Sequence, residues 1–235
     1  MEITYLMNSG FMVSDDENLF LFDDYDDPTQ IADRAVDDGN FKRLYILTSH
    51  AHFDHFGTHI ADYADKVTRY IFGNDIRRTK RVKMFPREKI IFMKRYTDWA
   101  DDAIKVTAFD STDAGTSFLV ETSRSKIFHA GDFNWWHWDN DPADKNVAME
   151  KLFRRQLAKL NGLEVDAAFF PVDGRLGDHQ EKGVIEFVKT IKTSALIAMH
   201  RAGYPRWQPS KNFLEVAPAD LKIFAPVDTG ETLTI

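Results

Sequence analysis

Three imidazoles and one carboxylate fall within six residues at His50-Ala51-His52-Phe53-Asp54-His55. The chain contains no cysteine, so any transition metal must be held by nitrogen and oxygen. Neutral imidazole and carboxylate are the donors that zinc, iron and manganese accept in that case. The cluster follows the apolar run Arg43–Thr48, which reads as a buried strand. His50 and His52 are two residues apart, so in extended chain they leave the same face. Asp54 and His55 come after the chain turns and address a second point nearby. That spacing suits two adjacent metals better than one. A solvated loop is the alternative, but with 8 histidines in 235 residues such clustering by chance is improbable.

The string His50-x-His52-x-Asp54-His55 resembles the signature of the metallo-β-lactamase-fold hydrolases, and the resemblance extends over essentially the whole chain. It implies an α+β / α/β four-layer αβ/βα sandwich in a single domain, 1–235, with the metals at one edge between two sheets. A later Gly-Asp after a strand bridges both metals in that family, and Gly131-Asp132 after Lys126–Phe128 fits. A histidine ending a late strand completes the second metal, which matches His200 after Ala195–Met199. The histidine expected between these motifs is missing. Asp113, in the segment Ser111–Phe118, stands near its place and either takes its role or caps a turn. The implied ligands are His50, His52, Asp113 and Asp132 on one metal, and Asp54, His55, Asp132 and His200 on the other. Two divalent ions are expected, zinc foremost. A carboxylate at 113 hardens the site and admits manganese or iron. His129 lies three residues before Asp132, so strand parity turns it to the opposite face. His59 is expected to start a helix.

Such a site implies hydrolysis of a small, anionic ester, lactone or phosphodiester by a metal-bound hydroxide, with Asp54 also orienting the nucleophile. Within the superfamily the chain looks most like the small single-domain branch related to ascorbate-phosphate lactonases. The alternatives are a nuclease or phosphodiesterase of the same fold acting on RNA or DNA, and a redox or non-catalytic metal-binding relative. Candidate substrate contacts lie in loops beside the ligands. Trp135, Trp136 and His137 follow Asp132 and form either a pocket wall, with His137 as acid, or a tryptophan-rich core corner. Arg175 offers either an anion clamp or a loop salt bridge. Arg201 and Tyr204 lie just past His200.

These groups need rigid elements beneath them. Apolar runs at Ile3–Met7, Phe11–Val13 and Leu19–Phe22 read as an antiparallel meander, followed by a helix over Thr29–Asp38. Further strands are expected at Val67–Phe72, Lys89–Met93, Ile104–Phe109, Ser117–Glu121, Ala167–Phe170, Leu221–Phe224 and Thr232–Ile235. Helices are expected at Asp144–Asn161, with Val147, Leu152, Leu157 and Leu160 inward, at Glu181–Lys192 and at Ser210–Val216. The basic run Arg77–Lys83 reads as a solvated helix face, and the acidic run Asp23–Asp27 as a solvated turn with Asp23 near the site. A net charge of −7 argues against nucleic acid and a polybasic membrane tether as partners. No signal-peptide pattern or long apolar span is present, so a cytoplasmic protein with a small-molecule substrate is expected.

Overall fold

Short apolar runs separated by turn residues close into strands. In the computed structural model, which describes residues 1–15 and 17–235, the first of these are β1 (Glu2–Met7), β2 (Gly10–Ser14) and β3 (Asn18–Phe22), paired antiparallel as the expected meander. The described residues fall into two compact units: residues 1–94 with 114–116 and 226–235, and residues 95–113 with 117–225.

In the first unit the chain leaves β3, forms α1 (Ile31–Asp38) and returns as β4 (Arg43–Thr48), β5 (Arg69–Gly73) and β6 (Ile90–Met93), each parallel to its predecessor. The strand β14 (Thr232–Thr234) joins the other edge, antiparallel to β1. Every residue of β3 is buried, as are Leu44 to Thr48 of β4, which accounts for uninterrupted apolar runs in place of alternation. One face packs Leu21, Leu44, Ile46 and Tyr70 with Ala32 and Val36 of α1 and with Phe56 and Phe85. Burying each such large side chain contributes about 1.5–3 kcal/mol.

Two polar runs differ from expectation. The acidic run is only partly solvated: Asp26 is exposed, but Asp23, Asp24 and Asp27 are buried. Asp27 accepts from the N–H groups of Ile31 (3.0 Å) and Ala32 (2.7 Å), satisfying the first donors of α1. Burial is possible because these carboxylates have backbone or histidine partners. The basic run forms two short 3₁₀ segments, Ile76–Arg78 and Arg81–Met84, and not one helix face.

The second unit holds β7 (Asp98–Ala100), β8 (Lys105–Asp110), β9 (Thr116–Glu121, its first residue in the first unit), β10 (Lys126–His129), β11 (Glu164–Pro171), β12 (Lys192–Met199) and β13 (Lys222–Phe224). They lie side by side in chain order, with β7–β8 and β9–β10 antiparallel and β10 to β13 parallel. Between the parallel strands run α2 (Ala143–Leu157), α3 (Lys182–Thr190) and α4 (Lys211–Val216). The buried stripe of α2 passes through Phe153, Gln156 and Leu157, leaving Val147 half exposed, against the expected register. Each sheet is thus an antiparallel set followed by three parallel crossovers. In such sheets, loops at the carboxyl ends of parallel strands are where ligands bind. Among the described residues no helix is long and apolar enough to cross a membrane.

Candidate metal centre

In the first unit the chemistry sits past the ends of β3, β4 and β5. Asp23 directly follows β3 with φ 41°, a left-handed conformation costly for a residue with a side chain. That turn brings its buried carboxylate to the segment after β4. Oδ1 accepts from the Ser49 N–H (2.6 Å), while Oδ2 accepts from Ser49 Oγ (2.7 Å) and contacts His55 Nδ1 (2.7 Å). A carboxylate at Nδ1 holds the ring proton there and makes Nε2 the ligating atom. His50 meets Ser49 Oγ through Nδ1 (2.9 Å) and His52 Nδ1 through Nε2 (3.0 Å). Two nitrogens each about 2.0–2.1 Å from one zinc ion would stand at a comparable separation, so the histidine pair fits a shared metal. His50 and His55 also offer nitrogens within 4.8 Å of each other, and His55 Nε2 lies 3.8 Å from Asp54 Oδ2. Asn8 Nδ2 donates to the same Asp54 oxygen at 3.3 Å.

The motif itself is clamped from both ends. Asp75, past β5, accepts from the Ala51 N–H at 2.9 Å. Arg81 donates to the carbonyl oxygens of Ala51 and, at 2.7 Å, Phe56, with its guanidinium over the Phe56 ring. Gly115 has φ +71°, and a Cβ there would come within 2.3 Å of His50 Cβ and of the Ser49 carbonyl oxygen. Asn8, Ser49, Asp75 and Arg81 carry no metal-ligand spacing in the sequence. Only Asp23 was foreshadowed, by its place at a strand end.

The second unit repeats the device. Asp132 follows β10 through Gly131, whose φ of 55° confirms the sharp turn expected there. His200 follows β12, itself left-handed at φ 60°. Asp173, past β11, contacts His200 Nδ1 at 3.0 Å, and His200 Nε2 lies 3.4 Å from Asp132 Oδ1. Burial alone would raise the Asp173 pKa. Hydrogen bonds from His200 and Arg175 outweigh it and hold the carboxyl below the usual range. Asp113 is exposed, yet its carboxylate offers an oxygen within 4.8 Å of one from Asp132. His129 is buried against the Phe169 ring and accepts from the Gly131 N–H at 3.2 Å. His59 sits 3.2 Å from the buried Asp24, on a 3₁₀ segment, His59–Tyr63.

The expected substrate contacts divide. Trp136 is buried, donates from Nε1 to the Asp132 carbonyl oxygen (2.9 Å) and packs against His200. Trp135 is buried against Phe153. Arg175 forks onto Asp173 through Nε and an Nη at 2.5 Å, the loop salt bridge of the two readings. Arg201 donates to the Tyr204 carbonyl oxygen, and the half-exposed Tyr204 ring lies on Gly174. His137 contacts Lys182 and His179.

No family model matches the chain, and no curated protein matches it in sequence. Solved structures do match. Igni18, a metallo hydrolase from the archaeon Ignicoccus hospitalis, is 16% identical, with 99% of this chain and 97% of that one covered and a TM-score of 0.67. The metallo-β-lactamase fold protein YhfI from Bacillus subtilis is 10% identical over 99% and 98% of the two chains, TM-score 0.61. CmlA, a diiron β-hydroxylase from Streptomyces venezuelae, is 12% identical, with 100% of this chain and 54% of that one covered, TM-score 0.61. At these identities the likeness is one of fold, and the chain has the metallo-β-lactamase fold expected from its histidine segment.

Proposed function

We propose that the chain is a metal-dependent hydrolase of a small, anionic ester, lactone or phosphodiester. The observation that carries this reading is the repeated pairing of a buried aspartate with a histidine Nδ1, Asp23 with His55 and Asp173 with His200, each aiming Nε2 for ligation. The residues that would hold divalent ions are His50, His52, Asp113 and Asp132 for one, and Asp54, His55, Asp132 and His200 for the other. When bound, such ions lower the pKa of water and polarise the oxygen under attack. Asp54, restrained by Asn8, orients the attacking water. Arg175 is committed to Asp173, so Arg201 and Tyr204 are the side chains we assign to the substrate anion. Trp136 holds the backbone of Asp132.

A screen of lactones, esters and phosphodiesters with Zn²⁺, Mn²⁺ and Fe²⁺ tests the reading. The expected result is hydrolysis that chelation abolishes and that His52→Ala and Asp132→Ala lose together with bound metal. Full activity in metal-free protein would overturn it. The neighbouring carboxylates of Asp113 and Asp132 favour a second reading, in which hard donors select iron and the chemistry is oxidative, as in the diiron hydroxylase of shared fold. Oxygen uptake by the Fe²⁺-loaded protein with a reductant, absent hydrolysis, would support it.

A further inference from the structure

A second group of metal-ligating side chains lies wholly within the second unit. His137 sits in the loop between β10 and α2, Asp139 two residues on, and His179 ends the 3₁₀ segment Gly174–His179 after β11. Each offers one ligand atom within 4.8 Å of the other two. His179 Nε2 is 2.9 Å from Asp139 Oδ1, and the two imidazole rings meet at 4.0 Å between centroids. His137 and Asp139 also line a cavity of about 390 Å³ with Asn146, Glu150 and Lys182, so the group is open to solutes.

We propose that His137, Asp139 and His179 form an additional binding site for a borderline divalent transition metal such as Zn²⁺. Two imidazoles with one carboxylate are the donors of many three-ligand zinc sites, and they disfavour calcium and magnesium, which take oxygen. The site ties the loop carrying Asp132 and Trp136 to the turn that follows Asp173. It thereby gives His137 a part other than the acid or substrate contact expected from its tryptophan surroundings.

Lys182 makes the inference sharp. Its ammonium donates to His137 Nδ1 at 3.2 Å, which leaves the proton of the neutral ring on Nε2. Ligation through Nδ1 displaces the lysine directly. Ligation through Nε2 moves the ring proton to Nδ1 and breaks the same hydrogen bond. By either route Lys182 competes with the metal, so removing it should strengthen binding.

Equilibrium dialysis of Zn²⁺ against the full chain tests this, with NMR of the imidazole nitrogens during the titration. The wild type is expected to bind one more equivalent than His179→Ala, whose melting temperature without added metal is unchanged. Lys182→Met should bind that equivalent about tenfold more tightly, the scale of one charge-assisted hydrogen bond. Ring nitrogens of His137 and His179 should move to metal-bound shifts together. Equal stoichiometry in wild type and His179→Ala, or ring shifts unmoved by saturating Zn²⁺, would overturn the proposal and leave an ion-pair cluster only. Because the NMR readout uses the wild type, it decides the matter even if His179→Ala fails to fold.

Discussion

Asp23 shows how one side chain sets a site it need not ligate. It takes three contacts, from Ser49 N–H, Ser49 Oγ and His55 Nδ1, and so fixes the ring orientation and tautomer of His55. Asp23→Asn presents one oxygen and one NH₂ group to those three partners, so at least one is left unmatched. Metal affinity, measured by competition with a chromophoric chelator, is expected to fall about 10–100-fold, the usual cost of losing such a support. Asp24 and His59 give a second residue-scale outcome. Burial raises the Asp24 pKa. Burial alone would lower that of His59, but the neighbouring Asp24 outweighs it, with Asp33 and Asp27 adding to the rise. A histidine raised above its ordinary 6.5 stabilises the fold fully below that pH and loses the contribution as pH climbs through the raised value. A carboxyl raised above 3.8 acts in the same direction, favouring the fold at lower pH. Chelator-treated protein should therefore lose stability as pH rises above 6.5. His59→Gln should flatten that slope in urea titrations taken at successive pH values.

Elements deliver these side chains through their ends, and the ends were the least legible part of the sequence. The apolar runs located β1 to β4 and the late parallel strands to within a few residues, because strands buried on both faces read as continuous apolar stretches. The short strand β7, Asp98-Trp99-Ala100, escaped notice because it is three residues long, with a half-buried Trp99 between two exposed neighbours. Asp27 and Arg81 were misread because a charge run looks solvated until its backbone partners, distant or local, are known. Two element-scale predictions follow the same contacts. Gly115→Ala forces a Cβ against His50 and Ser49 at a positive φ, and is expected to cost more than about 2 kcal/mol in denaturant unfolding. Arg81→Met removes both donors to the ends of the histidine turn. It should cost about 2 kcal/mol and weaken metal binding without removing a ligand.

At the scale of the whole chain, the motif His50-x-His52-x-Asp54-His55 with Gly131-Asp132 and His200 sufficed to anticipate the fold, which the solved structures of similar architecture bear out. Which histidine each supporting aspartate orients was not legible, since Asp173 lies 27 positions from His200 and Asp23 lies 32 from His55. The excess of carboxylates also has a physical reading. Of the 37 acidic side chains, Asp23, Asp24 and Asp173 are buried against histidines, so metal binding and folding should be coupled. Saturating Zn²⁺ at about 100 times its Kd should add roughly 2.7 kcal/mol to stability, seen as a rise in Tm that chelation reverses. The most direct test is anomalous diffraction at the zinc edge from crystals grown with Zn²⁺. The account predicts anomalous peaks bonded to His50 Nε2 with His52 Nδ1, to His55 Nε2 and to His200 Nε2. Well-ordered density for these histidines with no anomalous peak beside them would contradict it.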